Sequence, residues 1–390
     1  MKQRISLLIL SFSLALHCSG QHIQTTLGLG IDTIHNPDVK AIYTLWKCYL
    51  SSSPDSIYDN PCWNMEEKEN YVSYDFLKSE AYLSPSLYRL NTQNTVLSIS
   101  DKGDYWIISS TFYWVKPKES KTVTAATAKV VARKENGEFK LFNYLPYHVR
   151  SWYHKRVGII EYCYHPSHPF DLLKAQEANT FIEGLKKTFN IKVDHVTYYI
   201  APNCDELFEL KGFDFVLGMG RTPNVCGFFD HFNTIIYSTS QDGENHNHEL
   251  IHLLNNFFPR GHGLFLTGLS AYWGGASAHL GQNFAYHLKR VNVYLIQHPE
   301  VNLSNLDSFY EMDDQTSSSY ITGGVLCHLV LEKGGIPLLK EGLNAGDSMD
   351  DLYKFLESKL GIKRTDLNKY LRRRIREMAE DPHFSPLEFP

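Results

Sequence analysis

Apolar positions recur at helical spacing through "VKAIYTLWKCYL" (39–50), and a second stretch opened by acids, "EEKENYVSYDFLKS" (66–79), keeps the same period. The pattern then changes. Four runs rich in β-branched and aromatic residues follow: "NTVLSISD" (94–101), "DYWIISSTFYWV" (104–115), "TVTAATAKVVAR" (122–133) and "FKLFNYL" (139–145), with "DKGD" and "KENGE" as turns between them. Helices followed by an antiparallel meander predict an α+β unit over residues 34–150, its helices packed on one face of a curved sheet.

By topology alone this first unit resembles the nuclear-transport-factor-2-like or cystatin-like group. From "RVGIIEYCYHPSHPFD" (156–171) onward the chain reads as a second unit over residues 157–380. A strand and a turn open it, and a long amphipathic helix follows with Asp171 as N-cap. A strand "HVTYYIA" (195–201), a short helix "CDELFELKG" (204–212) and a strand "FNTIIYSTS" (232–240) come next, and after residue 244 the pattern is helical. The glycine-rich "GMGRTPNVCGFFDH" (218–231) lacks the strand-glycine-helix context of a phosphate cradle and reads as a loop. His165, His168 and Pro169 cluster in "YHPSHPF", where the prolines favour a rigid joining turn over a metal site.

With 390 residues, 43% of them hydrophobic and 21% charged, the composition is globular, and a net charge of −5 argues against nucleic acid as the main partner. The N-terminus changes the picture more. Lys2 and Arg4 precede an apolar run from Ile5 to Leu16 and small residues at Ser19 and Gly20, the three-part pattern of a secretory signal over residues 1–20. The run is too short for a permanent transmembrane anchor. His17 occupies the place before Cys18 where lipidation needs a small residue, so an exported periplasmic or extracellular protein is favoured over a lipid-anchored one. Six cysteines remain beyond that segment, with no C-x-x-C pair; Cys48 with Cys62 is the pair close enough in sequence to suspect of bonding, and buried thiols are the simpler reading for the set.

The candidate chemistry lies in "NHELIHLLNN" (247–256). On a helix, His248 and His252 share a face and can point two imidazoles at one ion, whereas His246 faces roughly the opposite way. Glu249 lies to the side of the pair, where a carboxylate can take a proton from the attacking water without occupying the metal. The strand "NTIIYST" (233–239) runs into this helix after a polar loop, and an edge strand in that place is what a peptidase uses to hold an extended substrate by main-chain hydrogen bonds.

With the segment "LFLTGLSAYWGG" (264–275), this motif resembles the gluzincin metallopeptidases, the thermolysin and aminopeptidase-N superfamily, over roughly residues 157–380. The resemblance implies a mixed sheet with a helical part, a zinc ion, a peptide or protein substrate and hydrolysis of peptide bonds. In that family a second helix carries a glutamate as third ligand, within a tryptophan or phenylalanine, leucine, any residue, glutamate, glycine, leucine, alanine, any residue, tyrosine pattern. Gly268, Leu269, Ser270 and Tyr272 or Trp273 match it, but Thr267 occupies the glutamate's place. No acidic residue occurs between His252 and Glu300. A third ligand would have to be His262 in the connecting loop, the leading candidate, or His279, Glu311, Asp313 or Asp314. A further segment, "SSSYITGGVLCHLVLEKGG" (317–335), resembles the family helix whose tyrosine donates to the oxyanion, which gives Tyr320 that role. The alternative is a degenerate, non-catalytic member acting as a peptide-binding or scaffold protein.

Overall fold

A computed structural model of the chain describes residues 23–52, 60–70, 92–216, 219, 226–231, 233–275, 283–305, 312 and 316–389. The N-terminal signal pattern, most of the second acidic helix and half of the glycine-rich segment lie outside the described residues. The first sheet runs β1 (Thr25–Leu27), β2 (Gln93–Asp101), β3 (Trp106–Lys116), β4 (Lys121–Glu135) and β5 (Glu138–Phe142). Strands β2 to β5 are the antiparallel meander that the alternating pattern predicts, and β1 joins in parallel. Asn136 and Gly137 both have positive φ, 52° and 88°, between β4 and β5. That is the conformation a two-residue type I′ turn demands, and Asn-Gly is the pair that supplies it at least steric cost.

Among the described residues two helices accompany this sheet, α1 (Pro37–Leu50) and α2 (Met65–Asn70). Helix α1 starts where Asn36 accepts from the Val39 N–H and Pro37 takes the first position, where a missing N–H costs nothing. Of its buried face, Ile42, Trp46, Tyr49 and Leu50 join one core with Val96, Ile108 and Phe112 of the sheet. Trp46 donates its indole N–H to Asn94 Oδ1 at 3.1 Å, so the one polar atom of this large side chain is satisfied inside the core.

A short helix α3 (Leu145–His148) leads to the second sheet, whose strands are β6 (Tyr153–Val157), β7 (Ile160–Tyr164), β8 (Val196–Ala201), β10 (Phe228–Asp230) and β11 (Ile235–Thr239). Their order is β10-β11-β8-β7-β6; the three central strands are parallel and both edges antiparallel. Between β7 and β8 lies α4 (Leu172–Phe189), capped by Asp171 through the Leu173 and Lys174 N–H groups as the sequence predicts. Strand β9 (Phe213–Val216), which follows α5 (Cys204–Leu210), pairs with β4 in the first sheet. The first core accordingly includes Leu207, Phe208, Phe228 and Tyr237 from beyond residue 200.

Two expectations change here. The strand "NTIIYST" is interior, between β10 and β8, and the edge is β10, cut from the glycine-rich segment read as a loop. Three residues are too few to show an alternating pattern. The disulfide links Cys204 to Cys226, not Cys48 to Cys62, because Cys48 faces outward from α1 while Cys62 is buried beneath it. The Cys204–Cys226 bond ties the segment entering β10 to the first residue of α5. Closing a loop with a sequence separation of 22 should stabilise the fold by about 3 kcal/mol. Cys204→Ala, or reduction of the native chain, is therefore expected to lower the unfolding free energy by that much, read as a fall in the urea midpoint equal to that energy divided by the m-value; an unchanged midpoint would remove the link from the account.

The rest is helical: α6 (Asn247–Ile251), α7 (Gly263–Gly274), α8 (Phe284–Gln297), α9 (Ser318–Leu343), α10 (Met349–Phe355) and α11 (Arg364–Glu380). Helices α7 and α9 touch backbone to backbone. A Cβ on Gly268 would lie 2.2 Å from the carbonyl carbon of Gly323, so only glycine allows this approach. Among the described residues no helix is long and apolar enough to cross a membrane.

Candidate functional site

The loop after β11 is pinned from beneath before it enters α6. Two buried tyrosines of adjacent parallel strands donate to its carbonyls, Tyr198 to Gly243 at 2.8 Å and Tyr162 to Glu244 at 3.1 Å. Glu244 itself is buried, accepting the Asp171 N–H at 2.7 Å and facing His168 Nε2 at 2.8 Å, whose Nδ1 lies 3.0 Å from Ser240 Oγ. His168 of "YHPSHPF" is thus a buried clamp on the loop that positions α6.

Helix α6 is short and tightens into a 3-10 turn over His252–Asn256. The four-residue spacing still brings His248 and His252 together, ring centroids 5.1 Å apart and nearly perpendicular. Zinc takes imidazole nitrogens at about 2.0–2.1 Å, which in a tetrahedral set puts two ring centroids about 5 Å apart. The observed spacing matches. His248 Nδ1 donates to the Gly275 carbonyl at 2.8 Å, leaving Nε2 as the lone-pair nitrogen. A backbone acceptor fixing the tautomer in this way is the usual support of a metal-binding histidine. Burial holds both rings in the neutral, ligand form: His248 is pushed well below its ordinary value, first by desolvation and then by His252 and His246, and His252 falls to about 4, chiefly by desolvation.

Glu249 is buried beside the pair, and desolvation pushes its carboxyl up to about 8 against the opposing hydrogen bond from the Phe229 N–H. The carboxyl therefore lies against the backbone of β10, so the acid and the open strand edge adjoin. Tyr320, in the first turn of α9, stacks on His248 at 6.4 Å between centroids, with 29° between planes. Gly274 gives His248 its room, since a Cβ there would lie 2.5 Å from the His248 Cα.

His262 goes elsewhere. Its Nδ1 accepts the Leu264 N–H at 3.1 Å as the cap of α7, and its Nε2 faces Met349 Sδ at 3.0 Å. Both ring nitrogens are engaged away from the pair, because a histidine just before a helix finds the orphan N–H groups of the first turn closest at hand. Thr267 is on α7, one turn before Ser270 on the same face. Ser270 Oγ, which donates to the Thr267 carbonyl at 2.9 Å, lies 3.4 Å from His252 Nε2. Among the described residues no third histidine, cysteine or carboxylate groups with His248 and His252 at ligand distance. His279, Glu311, Asp313 and Asp314 lie outside the described residues. The imidazole pair fits a zinc ion, and the third place on α7 holds a hydroxyl.

The sequence reading names Ser270 only as a match to the family pattern, not as a neighbour of His252, and gives no role to Gly275. Ser270 was legible as the residue three after Thr267 on one helix face; Gly275 acts through a carbonyl, which leaves no mark in side-chain patterns. His246 also departs from the helical expectation, being the non-helical cap residue with its ring 6.3 Å from that of His248.

No protein-family model matches the chain, and no curated protein matches it. Among solved structures it is similar to the crystal structure of an aminopeptidase N family protein from Idiomarina loihiensis, at 10% identity and a TM-score of 0.31. The alignment covers 72% of this chain and 55% of that one, so the chain spans about half the length of that protein.

Proposed function

We propose that this chain is an exported, zinc-dependent peptidase-like protein in which His248 and His252 hold the metal, Glu249 is the general base and Tyr320 is the oxyanion donor. The observation that carries the reading is the pair of imidazoles at ligand spacing, His248 buried and fixed by the Gly275 carbonyl and His252 half-buried beside it. Residues 157–380 form the peptidase-like unit in this reading and residues 34–150 an accessory α+β unit. Export is supported by the N-terminal pattern and by the Cys204–Cys226 bond, which an oxidising compartment maintains.

When bound, zinc supplies Lewis-acid polarisation of the scissile carbonyl. The other steps belong to the chain. An extended peptide pairs with the open edge of β10, which brings its carbonyl past the α6 side chains. Glu249, already against the β10 backbone, acts in its ionised form, which a cation held by the pair would favour; it takes the proton of the attacking water and passes it to the leaving amine as the C–N bond breaks. Tyr320, stacked on His248, donates a hydrogen bond from its hydroxyl to the negative charge that develops on the carbonyl oxygen. Elemental mass spectrometry of the purified protein and of His252→Ala tests the metal: the variant should hold about one zinc fewer per chain. Equal zinc content in the two would overturn the assignment.

Thr267 favours a second reading, a non-catalytic member of the same fold that binds peptides along β10. It differs in one outcome: peptide binding without turnover, undiminished in Glu249→Gln.

A further inference from the structure

Away from the histidine pair, the end of α3 and one face of α5 bring three ligand-type side chains together. One ligand atom each of His148, Glu206 and Glu209 lies within 4.8 Å of the other two, and all three residues are half-buried. His148 Nε2 and Glu206 Oε1 are 2.6 Å apart.

The local fold explains the convergence. Glu206 and Glu209 are three apart, so α5 presents both on one face. The helix is held at its start by Asn203, which accepts the Glu206 N–H at 2.9 Å, and by the disulfide at Cys204. The His148 ring is flanked by Tyr144 and Trp152, with centroids at 5.3 and 6.0 Å. Both arms of the cluster are therefore fixed by covalent or packing contacts that owe nothing to the cluster itself.

Charge is out of balance there. Glu209 feels Glu206, Lys129 and Asp214, and Lys129 is ion-paired to Asp214 and lies over the Tyr144 ring at 5.4 Å. Lys129 is taken up by Asp214, so Glu206 and Glu209 are left facing the His148 imidazole, two carboxylates to one ring.

We propose that His148, Glu206 and Glu209 form a second metal site, for a divalent cation of the zinc or manganese class, that clamps the end of α3 to α5. One imidazole with two carboxylates suits those ions, whereas calcium and magnesium prefer all-oxygen sets. Donors at about 2.0–2.1 Å around one tetrahedral zinc lie about 3.3 Å apart, so the His148–Glu206 contact opens by about 0.7 Å on binding. This proposal does not depend on the function assigned to α6.

The test is zinc titration, by calorimetry, of chelator-stripped protein carrying His252→Ala, which disables the pair on α6. One equivalent of zinc should bind and raise the Tm. Adding Glu209→Gln or Glu206→Gln should weaken that binding by about tenfold or more and remove the Tm shift. Circular dichroism and the metal-free Tm of each variant confirm that these near-isosteric changes leave the fold intact. No zinc uptake by the His252→Ala protein, or equal affinity in folded Glu209→Gln, would overturn the proposal.

Discussion

Glu249→Gln is expected to lower peptide hydrolysis by roughly a hundredfold to ten-thousandfold while the metal content stays the same, the loss that follows removal of a positioned general base. Glutamine keeps the shape of the side chain and can still face the Phe229 N–H through its amide oxygen, so the packing of α6 on β10 is preserved. The change removes the ability to accept and return a proton. Because His248 and His252 carry the metal in this reading, zinc bound to the variant should equal that of the parent. Elemental analysis alongside a peptide-cleavage assay separates the outcomes. Full activity in Glu249→Gln sinks the catalytic assignment, and a metal-free variant would mean that Glu249 supports the site rather than reacts in it.

How far the sequence shows this arrangement depends on the range of the interaction that sets each feature. Local signals are fully legible: Asn136-Gly137 demands its turn, Asp171 caps α4, and the four-residue spacing of His248 and His252 places both rings together even though α6 tightens after one turn. Features set by contacts between distant segments are not. Nothing near Cys204 marks Cys226 as its partner, since pairing depends on where β10 lies against α5. His262 has the right residue type and the right distance along the chain for a ligand, yet the unsatisfied N–H groups of α7 are nearer to it than the imidazole pair. His168 shows the same effect from the other side: its partners, Glu244 and Ser240, are more than seventy residues away, so a buried clamp looks in sequence like part of a proline turn. Likewise β9 crosses to the first sheet, joining segments that the pattern assigns to separate units.

Thr267→Glu is expected to raise zinc affinity by about a hundredfold or more, equivalent to about 2.7 kcal/mol. Catalytic zinc takes three protein ligands, and among the described residues the pair on α6 has no third histidine, cysteine or carboxylate beside it. The geometry favours α7 as the source. Ser270 Oγ is 3.4 Å from His252 Nε2, and position 267 lies one turn earlier on the same face, where a helical side chain inclined toward the N-terminus needs the extra length of glutamate to reach the ion. The contact of Gly268 with Gly323 fixes how closely α7 approaches α9 and so keeps that distance from relaxing. A second readout distinguishes coordination from general electrostatics. Without metal, the added carboxylate stands partly buried near neutral imidazoles with no cation, which should lower the Tm; with zinc it becomes a ligand, which should raise the Tm above that of the parent under the same conditions. A lowered metal-free Tm with no gain in affinity would mean that position 267 faces the site but cannot reach the ion. No change in either would mean that α7 is not the counterpart of the family's ligand helix, and the resemblance would then rest on the His-Glu-x-x-His segment and Tyr320 alone.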